Sequence, residues 1–245
     1  MISRVGGKSK SRDFLISKFP KHKTYVEAFV GGGSIFFRKP TADVNVVNDL
    51  DKDIYHTFKD MRDVGENMKN RDFSPSRTKF KRLLNQKTFN NKSDRLYRNL
   101  YLSLNSFGGN RRSYVGGKEE GRQKGVNVGK KYKTNKWKDA LKDVRIENKD
   151  YSKLLTKYDN PSTFFFLDPP YEQKHKKKNY EVDNMDFEEL ANNLKRLKGK
   201  FLLTINDSPR MRQVFKNFRI RKYTVTYELS GERQEGNKEL YITNY

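Results

Sequence analysis

Short apolar runs recur along the chain, and several of them are followed closely by a glycine, an acid or a proline. This pattern predicts buried strands that alternate with helices. The first two runs are residues 25–29 and 44–48, with Gly31-Gly32-Gly33 between them, where a helix is predicted to begin at about residue 35. Apolar residues then recur at helical spacing within residues 52–63. Strand, glycine turn, helix, strand, acid and helix in this order indicate the beginning of an open, mostly parallel α/β sheet.

The pattern changes over residues 64–135, which are basic, polar and interrupted by glycines. Two helices are predicted there, at 76–85 and 94–104, followed by a glycine- and lysine-rich stretch. Strand patterns return at 144–148 and 163–167. We therefore predict one catalytic domain made of residues 1–63 and 136–245, with a small, mainly helical domain of residues 64–135 inserted into it.

The last part of the chain predicts one more helix and three strands. Asp186 with Glu189 three residues later is a capping-box signature, which predicts a helix that extends to residue 197. A strand is predicted at 201–205, and two closing strands at 219–229 and 239–243 are separated by a polar turn.

Composition narrows the class of function. The 245 residues include 53 Lys and Arg against 30 Asp and Glu, a formal net charge of +23. A lysine-rich surface that only keeps the protein in solution is one explanation, but a polyanionic partner such as nucleic acid is favoured. The absence of cysteine excludes disulfides and thiol chemistry, and three scattered histidines argue against a metal site. The chain lacks a long apolar segment, so we expect a cytoplasmic protein with no membrane partner.

The strongest chemical feature is Asp168-Pro169-Pro170-Tyr171, directly after the apolar run 163–167. The two prolines end the strand because neither can donate to a sheet ladder. A carboxylate, a proline carbonyl and an aromatic ring are thereby placed at the carboxyl end of a strand, where open α/β sheets bind ligands. The set suits a planar amino group, which would donate to Asp168 and the Pro169 carbonyl while its ring stacks on Tyr171.

The turn that begins at Phe29 and contains Gly31 and Gly33 is a second candidate site. Glycines let a backbone approach a ligand closely, and an acid about 20 residues later, here Asp49, often binds ribose hydroxyls. The alternatives are an ordinary tight turn and an Asp49 that caps the next helix. Neither G-x-G-x-x-G nor a Gly-Lys-Ser/Thr ending is present, so dinucleotides and nucleoside triphosphates are disfavoured.

Together these motifs resemble the Dam-like, D12-class DNA adenine N6-methyltransferases over nearly the whole chain. The resemblance implies an open, mostly parallel sheet of the Rossmann-like class I methyltransferase type, with an antiparallel C-terminal strand. It implies an enzyme that uses S-adenosylmethionine and releases S-adenosylhomocysteine without a metal. It also implies that the motif from Asp168 to Tyr171 is catalytic. The implied cofactor-binding residues are those that match the family's motifs: Gly6, Gly7, Lys8, Phe29, Gly31, Gly33, Asp49, Asp150, Tyr151 and Asp168.

Residues 102–114 are similar to the family's target-recognition segment. Phe107 stands at the aromatic position and Arg112 at the arginine, whereas Gly108-Gly109 replaces the family's Asn-Gly, so a GATC target does not carry over. Phe107 is expected to insert into DNA or to be a core residue. Arg111 and Arg112 are expected to bind one base edge and one phosphate, and Lys130 and Lys131 the DNA backbone.

The expected function is site-specific methylation of the exocyclic amine of an adenine that is flipped out of double-stranded DNA. Two alternatives stay open: an adenine methyltransferase for RNA or single-stranded nucleic acid, and a catalytically silent nucleic-acid-binding protein. A monomer or weak dimer is expected, in the cytoplasm, associated with the nucleoid or in a host cell if the protein is viral. Restriction–modification is among the biological roles compatible with this activity.

Overall fold

The computed structural model describes residues 8, 10–115, 136–171, 185–224, 227–229, 232–234 and 238–245. Its strands are β1 (Thr24–Glu27), β2 (Val44–Asn48), β3 (Arg145–Glu147), β4 (Thr163–Leu167), β5 (Lys200–Asn206), β6 (Arg219–Thr224), β7 (Tyr227–Leu229), β8 (Glu232–Gln234) and β9 (Lys238–Thr243). Its α-helices are α1 (Arg12–Ile16), α2 (Lys52–Val64), α3 (Arg77–Asn85), α4 (Lys92–Leu104), α5 (Trp137–Leu141), α6 (Tyr151–Tyr158), α7 (Phe187–Lys195) and α8 (Pro209–Val214).

Seven strands form one sheet in the order β3-β2-β1-β4-β5-β9-β6. The pairs from β3 to β5 are parallel, whereas β9 runs antiparallel to both β5 and β6. The predicted open, mostly parallel sheet with an antiparallel C-terminal strand is thus confirmed. The strand order reverses between β1 and β4, and such a reversal opens a crevice at the carboxyl ends of the two strands. The glycine turn follows β1 and Asp168 follows β4, so both predicted motifs lie at this crevice.

Helices cover both faces of the sheet. Successive side chains of β4 alternate between two cores: Phe164 and Phe166 pack with α2 to α5, whereas Phe165 and Leu167 pack with α6 to α8. Every residue of β4 is buried, as expected for a central parallel strand with helices on both faces. The strand therefore holds the residues that follow it on a rigid support.

The described part of residues 64–135 packs on the sheet domain through α2. Arg95 on α4 donates two hydrogen bonds, of 2.8 and 2.9 Å, to fully buried Asp60 on α2. The Asn99 amide donates at 3.0 Å to both the Asp53 carbonyl and Thr57 Oγ1. The predicted helices at 76–85 and 94–104 are confirmed as α3 and α4. The division into two domains at residue 64 stays a prediction.

Several sequence-based assignments need correction. The predicted closing strand at 219–229 is divided into β6 and β7, and β7 pairs with β8, which the sequence suggested was a turn. The helix expected after the glycine turn is a single turn, in which the Lys39 amide bonds to the Ile35 carbonyl at 2.9 Å. Helices α1, α5, α6 and α8 were not predicted, because five to eight residues give too few turns for a clear apolar stripe. None of the described helices is long and apolar enough to cross a membrane.

Candidate active site

The carboxylate of Asp168 is held through one of its oxygens. Leu167 is paired with Leu203, so the next residues, Asp168 and Thr204, lie side by side. Thr204 Oγ1 donates to Asp168 Oδ1 at 2.7 Å, and the buried Lys8 Nζ lies 2.8 Å from the same oxygen. Among the residues that the structure describes, both side-chain contacts of this carboxylate are made at Oδ1. This arrangement fixes the group and leaves Oδ2 for a further partner.

Tyr171 is tied to a buried acid on β9. Its hydroxyl donates at 2.7 Å to Oε2 of Glu239, which is 4% exposed, and the Tyr223 hydroxyl donates to the same oxygen. Lys8 Nζ lies 4.6 Å from the centroid of the Tyr171 ring and 3.8 Å from Glu239 Oε2. The Lys8 amine therefore lies between the carboxylates of Asp168 and Glu239 and the ring of Tyr171.

Burial dominates the electrostatics of this cluster. It raises the pKa of Asp168 above the ordinary value, while the charge of Lys8 and the hydrogen bonds from Lys8 and Thr204 oppose that increase. Burial likewise raises the pKa of Tyr171 well above its usual range, with the charges of Asp168 and Glu239 acting in the same direction. Tyr171 is thus a neutral hydrogen-bond donor, and Asp168 is a carboxylate that binds a proton more readily than an exposed aspartate.

A third acid, Glu27, is buried at the end of β1 beside the same crevice. The Tyr25 hydroxyl donates to Glu27 Oε2 at 2.6 Å. Burial raises the pKa of Glu27 to about 8, the charges of Asp168 and Asp49 add to this, and the Tyr25 hydrogen bond opposes it. Glu27 is therefore mostly protonated at neutral pH, which limits the negative charge that accumulates under the crevice.

The glycine turn and Asp49 form one hydrogen-bonded unit. Asp49 Oδ2 accepts from the Gly31 amide at 2.9 Å, and Oδ1 accepts from the Asp51 amide at 3.0 Å. The N-cap of α2 is Asp51, so the alternative interpretation of Asp49 as the helix cap is wrong. Gly31 and Gly33 have φ angles of 50° and 71°, values that favour glycine. This unit places backbone and a carboxylate together at the carboxyl ends of β1 and β2.

Asp150 and Tyr151 follow β3, the next strand along this edge. Asp150 caps α6, and its Oδ1 accepts from the Ser152 amide at 2.8 Å. The Tyr151 ring lies 5.9 Å from the Phe29 ring, and burial raises the pKa of Tyr151 to about 12. The structure thus brings Tyr151 next to Phe29 and the glycine turn, although more than 100 residues separate Tyr151 from them in the sequence.

Three of the predicted DNA-contacting residues lie on a different segment, residues 105–115, which we call the 105–115 loop. Phe107 is 69% exposed, so the alternative interpretation of this residue as a core phenylalanine is wrong. Arg112 is also exposed, whereas the Arg111 guanidinium is bound to Asp51 and Asp53. Contact of Phe107, Arg111 and Arg112 with DNA stays a prediction.

Some predicted site residues lie outside the described part of the chain. These are Gly6 and Gly7 of the proposed cofactor site and Lys130 and Lys131 of the proposed DNA surface. Of the prolines in the motif, Pro169 is buried and Pro170 is half-buried. Within the described ranges, no group of three or more His, Cys, Asp or Glu side chains is arranged to hold a metal ion.

Sequence reasoning missed four residues of this cluster: Glu27, Thr204, Tyr223 and Glu239. Glu27 and Glu239 each carried a signal, because each is a charged residue within an otherwise apolar strand pattern. A glutamate on a strand that is covered on both faces is rarely buried without a partner. Thr204 and Tyr223 carried no comparable signal, since threonine and tyrosine are common in strands.

Comparison with known protein families gives a match over most of the chain. The family model for the D12 class N6 adenine-specific DNA methyltransferases matches residues 5–229. Among individually curated proteins, none matches this sequence. The matched range contains both the glycine turn and the motif from Asp168 to Tyr171, the two features that the sheet brings to one crevice.

Proposed function

This chain belongs to the D12 class N6 adenine-specific DNA methyltransferases, and we propose that it methylates a flipped adenine at specific sites in duplex DNA. The donor in this proposal is S-adenosylmethionine, and the product is S-adenosylhomocysteine. The observation that carries the proposal is the one-sided attachment of Asp168. Lys8 and Thr204 bind Oδ1, so Oδ2 can accept a hydrogen bond from the exocyclic amine of the base.

The residues around the crevice fit such a donor. In a Rossmann-like sheet, an acid that ends the second strand binds ribose hydroxyls, and a glycine turn lets the ligand approach the backbone. Asp49 and Gly31 stand at these positions, and Phe29 with Tyr151 offers an apolar border for a purine. Asp168 and Glu239 outnumber Lys8 beside the crevice, which favours a cationic ligand. When bound, S-adenosylmethionine would supply an electrophilic methyl group on a sulfonium.

Asp168 would act on the amine in two ways. The adenine amine is conjugated with its ring and is a poor nucleophile. Hydrogen bonds to Asp168 and the Pro169 carbonyl would favour a tetrahedral nitrogen whose lone pair faces the methyl group. The nitrogen must then lose a proton, and Asp168 is a better acceptor than an exposed aspartate because burial raises its pKa. Lys8 keeps this carboxylate ionised when no proton is being transferred.

Tyr171 would hold the flipped base. Its hydroxyl is anchored on Glu239, so the orientation of the ring does not depend on the base. Lys8 occupies one side of the ring at 4.6 Å from the centroid, and the base would stack on the opposite side. Stacking of a base on an aromatic side chain contributes about 1–3 kcal/mol, which offsets much of the few kcal/mol that flipping costs.

A transfer assay tests the proposal. The protein is incubated with tritiated S-adenosylmethionine and duplex DNA, single-stranded DNA or RNA, and the products are digested to nucleosides. We expect label in N6-methyldeoxyadenosine from duplex DNA, its loss in Asp168→Ala, and its retention in Asp13→Asn, a control at an acid that is 65% exposed. Label only in RNA would refute the DNA substrate. Cofactor binding without label on any substrate would identify a catalytically silent binding protein.

A further inference from the structure

The 105–115 loop is held by its own hydrogen bonds. The Val115 amide donates to the Asn105 carbonyl and the Phe107 amide to the Ser113 carbonyl, each at 3.0 Å. Asn110 Oδ1 accepts from the amides of residues 112 and 113, at 2.9 and 3.0 Å. The loop is thus a defined structure that presents Phe107 outward. Its contacts to other elements include the Tyr114 ring, which lies 5.4 Å from the Phe80 ring, and the buried Asn105 side chain, which donates to the Tyr101 carbonyl at 3.0 Å.

Arg111 provides one of those contacts. Its Nη2 donates to Asp51 Oδ2, and its Nη1 lies 3.3 Å from Asp53 Oδ2, an ion-pair contact without hydrogen-bond alignment. The side chain is 17% exposed. The residue has a φ of 61°, a conformation that is uncommon for side chains other than glycine, asparagine and aspartate. The backbone at Arg111 is held by a 2.8 Å hydrogen bond from its amide to Ser106 Oγ.

The partner of Arg111 is also bonded to the proposed cofactor acid. The Asp51 amide donates to Asp49 Oδ1 at 3.0 Å, and Asp49 Oδ2 accepts from Gly31 at 2.9 Å. One continuous set of contacts therefore runs from the glycine turn through Asp49 and Asp51 to Arg111. Such a path of hydrogen bonds and ion pairs can carry energetic coupling between two sites.

We infer that Arg111 is a positioning residue that does not contact DNA. In this inference, which rests on the proposed function, its ion pairs with Asp51 and Asp53 hold the 105–115 loop against the turn that carries Asp49. A guanidinium that is already bound by two carboxylates is poorly placed to bind a phosphate, because these carboxylates repel the negatively charged phosphate. Cofactor and DNA would then strengthen each other's binding through this contact.

The salt dependence of DNA binding separates positioning from contact. Each phosphate contact contributes about 0.9 to the slope of log Kd against log salt concentration. Arg111→Gln and Arg112→Gln remove the same charge, and both are titrated with a labelled duplex that the wild type methylates. We expect Arg111→Gln to weaken binding about tenfold without changing the slope, whereas Arg112→Gln lowers the slope by about 0.9. A slope reduced by Arg111→Gln would overturn the inference.

Asp51→Asn tests the same contact from its other side and keeps a residue that can cap α2. If Asp51 acted only through its charge, its neutralisation would strengthen DNA binding. If Arg111 is a positioning residue, Asp51→Asn should instead weaken DNA binding. The double variant with Arg111→Gln should then bind DNA no more weakly than either single variant. Stronger binding by Asp51→Asn, or additive losses in the double variant, would contradict the inference.

Calorimetry with S-adenosylhomocysteine measures the coupling directly. In the wild type, the duplex and S-adenosylhomocysteine should each raise the affinity for the other by the same factor, as linkage requires. This factor should fall towards one in Arg111→Gln and persist in Arg112→Gln. A wild type that binds neither ligand would end the proposed function together with this inference. A wild type that binds both, with an unchanged factor in Arg111→Gln, would end the inference alone.

Discussion

Replacement of Glu27 by glutamine should stabilise the protein increasingly as the pH rises from 5 to 8. Glu27 is 2% exposed and ends β1 beneath the crevice. Burial raises its pKa from 4.5 to about 8, and the neighbouring charges of Asp168 and Asp49 act in the same direction. The folded protein therefore keeps a proton on Glu27 at pH values where the unfolded chain has lost it.

The sign and size of the effect follow from this difference. The contribution of Glu27 to stability is fully present below pH 4.5 and is lost as the pH rises through about 8. The free energy of unfolding falls by up to about 1.4 kcal/mol for each pH unit between these values, and the slope is smaller near each pKa. The total loss between pH 5 and 8 is about 3–4 kcal/mol. Burial lowers the pKa of the neighbouring Lys39 to about 8, and its titration changes stability mainly above this range.

The assay is urea unfolding of the wild type and Glu27→Gln at pH 5, 6, 7 and 8. Comparison of the two proteins at each pH cancels the other titrating groups, and glutamine keeps an oxygen that can accept from Tyr25. Glu66→Gln, at an exposed position, controls for the loss of one negative charge. Tyr25→Phe removes a hydrogen bond that lowers the pKa of Glu27. The pKa of Glu27 should therefore rise further in this variant, and the decrease in its stability with pH should continue to higher pH than in the wild type. A difference between wild type and Glu27→Gln that is constant with pH would refute the reasoning.

Three further predictions concern the crevice, and each is compared with a control variant. Thr204→Val removes a hydrogen bond to the Asp168 carboxylate, worth about 1.5–3 kcal/mol. It should slow methyl transfer about 10- to 150-fold. It should also move the acidic limb of the pH–rate profile to higher pH, because the lost bond opposes the increase in the pKa of Asp168. An unchanged profile, or a Thr204→Ser variant that fails to restore the rate, would contradict this. Gly33→Ala should lower the free energy of unfolding by about 2–5 kcal/mol, because its φ is 71° and its Cβ would lie 2.9 Å from two phenylalanine rings. Gly199→Ala meets backbone at 2.9 Å without a left-handed φ, so urea unfolding should show a smaller loss there. Glu239→Gln should reduce the methylation rate more than Tyr223→Phe does, because Glu239 also binds Tyr171 and faces Lys8; equal rates would show that the shared acid is unimportant.

The sheet could be predicted from the sequence because burial on both faces leaves a direct trace in the chain. Residues 44–48 and 163–167 are apolar runs with clear ends, and each is a strand with those bounds. Strands β7 and β8 could not be assigned in this way, because each has three residues. Their hairpin depends on pairing between the two strands more than on the apolar pattern of either one.

The sequence predicted those residues of the candidate site that belong to a local motif with a recognisable chemical role. Asp168 and Asp49 were identified because each follows a strand in a parallel sheet. The hydrogen bond from Tyr171 to Glu239 connects residues that are 68 positions apart. The position of Glu239 depends in turn on the register of β6 and β9, which pairs Tyr223 with Glu239. The contact of Arg111 with Asp51 spans 60 positions. Such contacts follow from packing and register, which apolar periodicity does not encode.

The local charge at the site is opposite in sign to the net charge of the chain, and the proposed chemistry gives a reason for this difference. The chain carries a formal charge of +23, which attracts DNA over a long range. The crevice instead places the carboxylates of Asp168 and Glu239 beside the amine of Lys8, with Asp49 at the neighbouring glycine turn. Phosphate is repelled from such a place, whereas a neutral base and a cationic methyl donor are not. In the proposed function, the basic surface would therefore bind the DNA backbone, while the crevice would admit only a base that has left the helix.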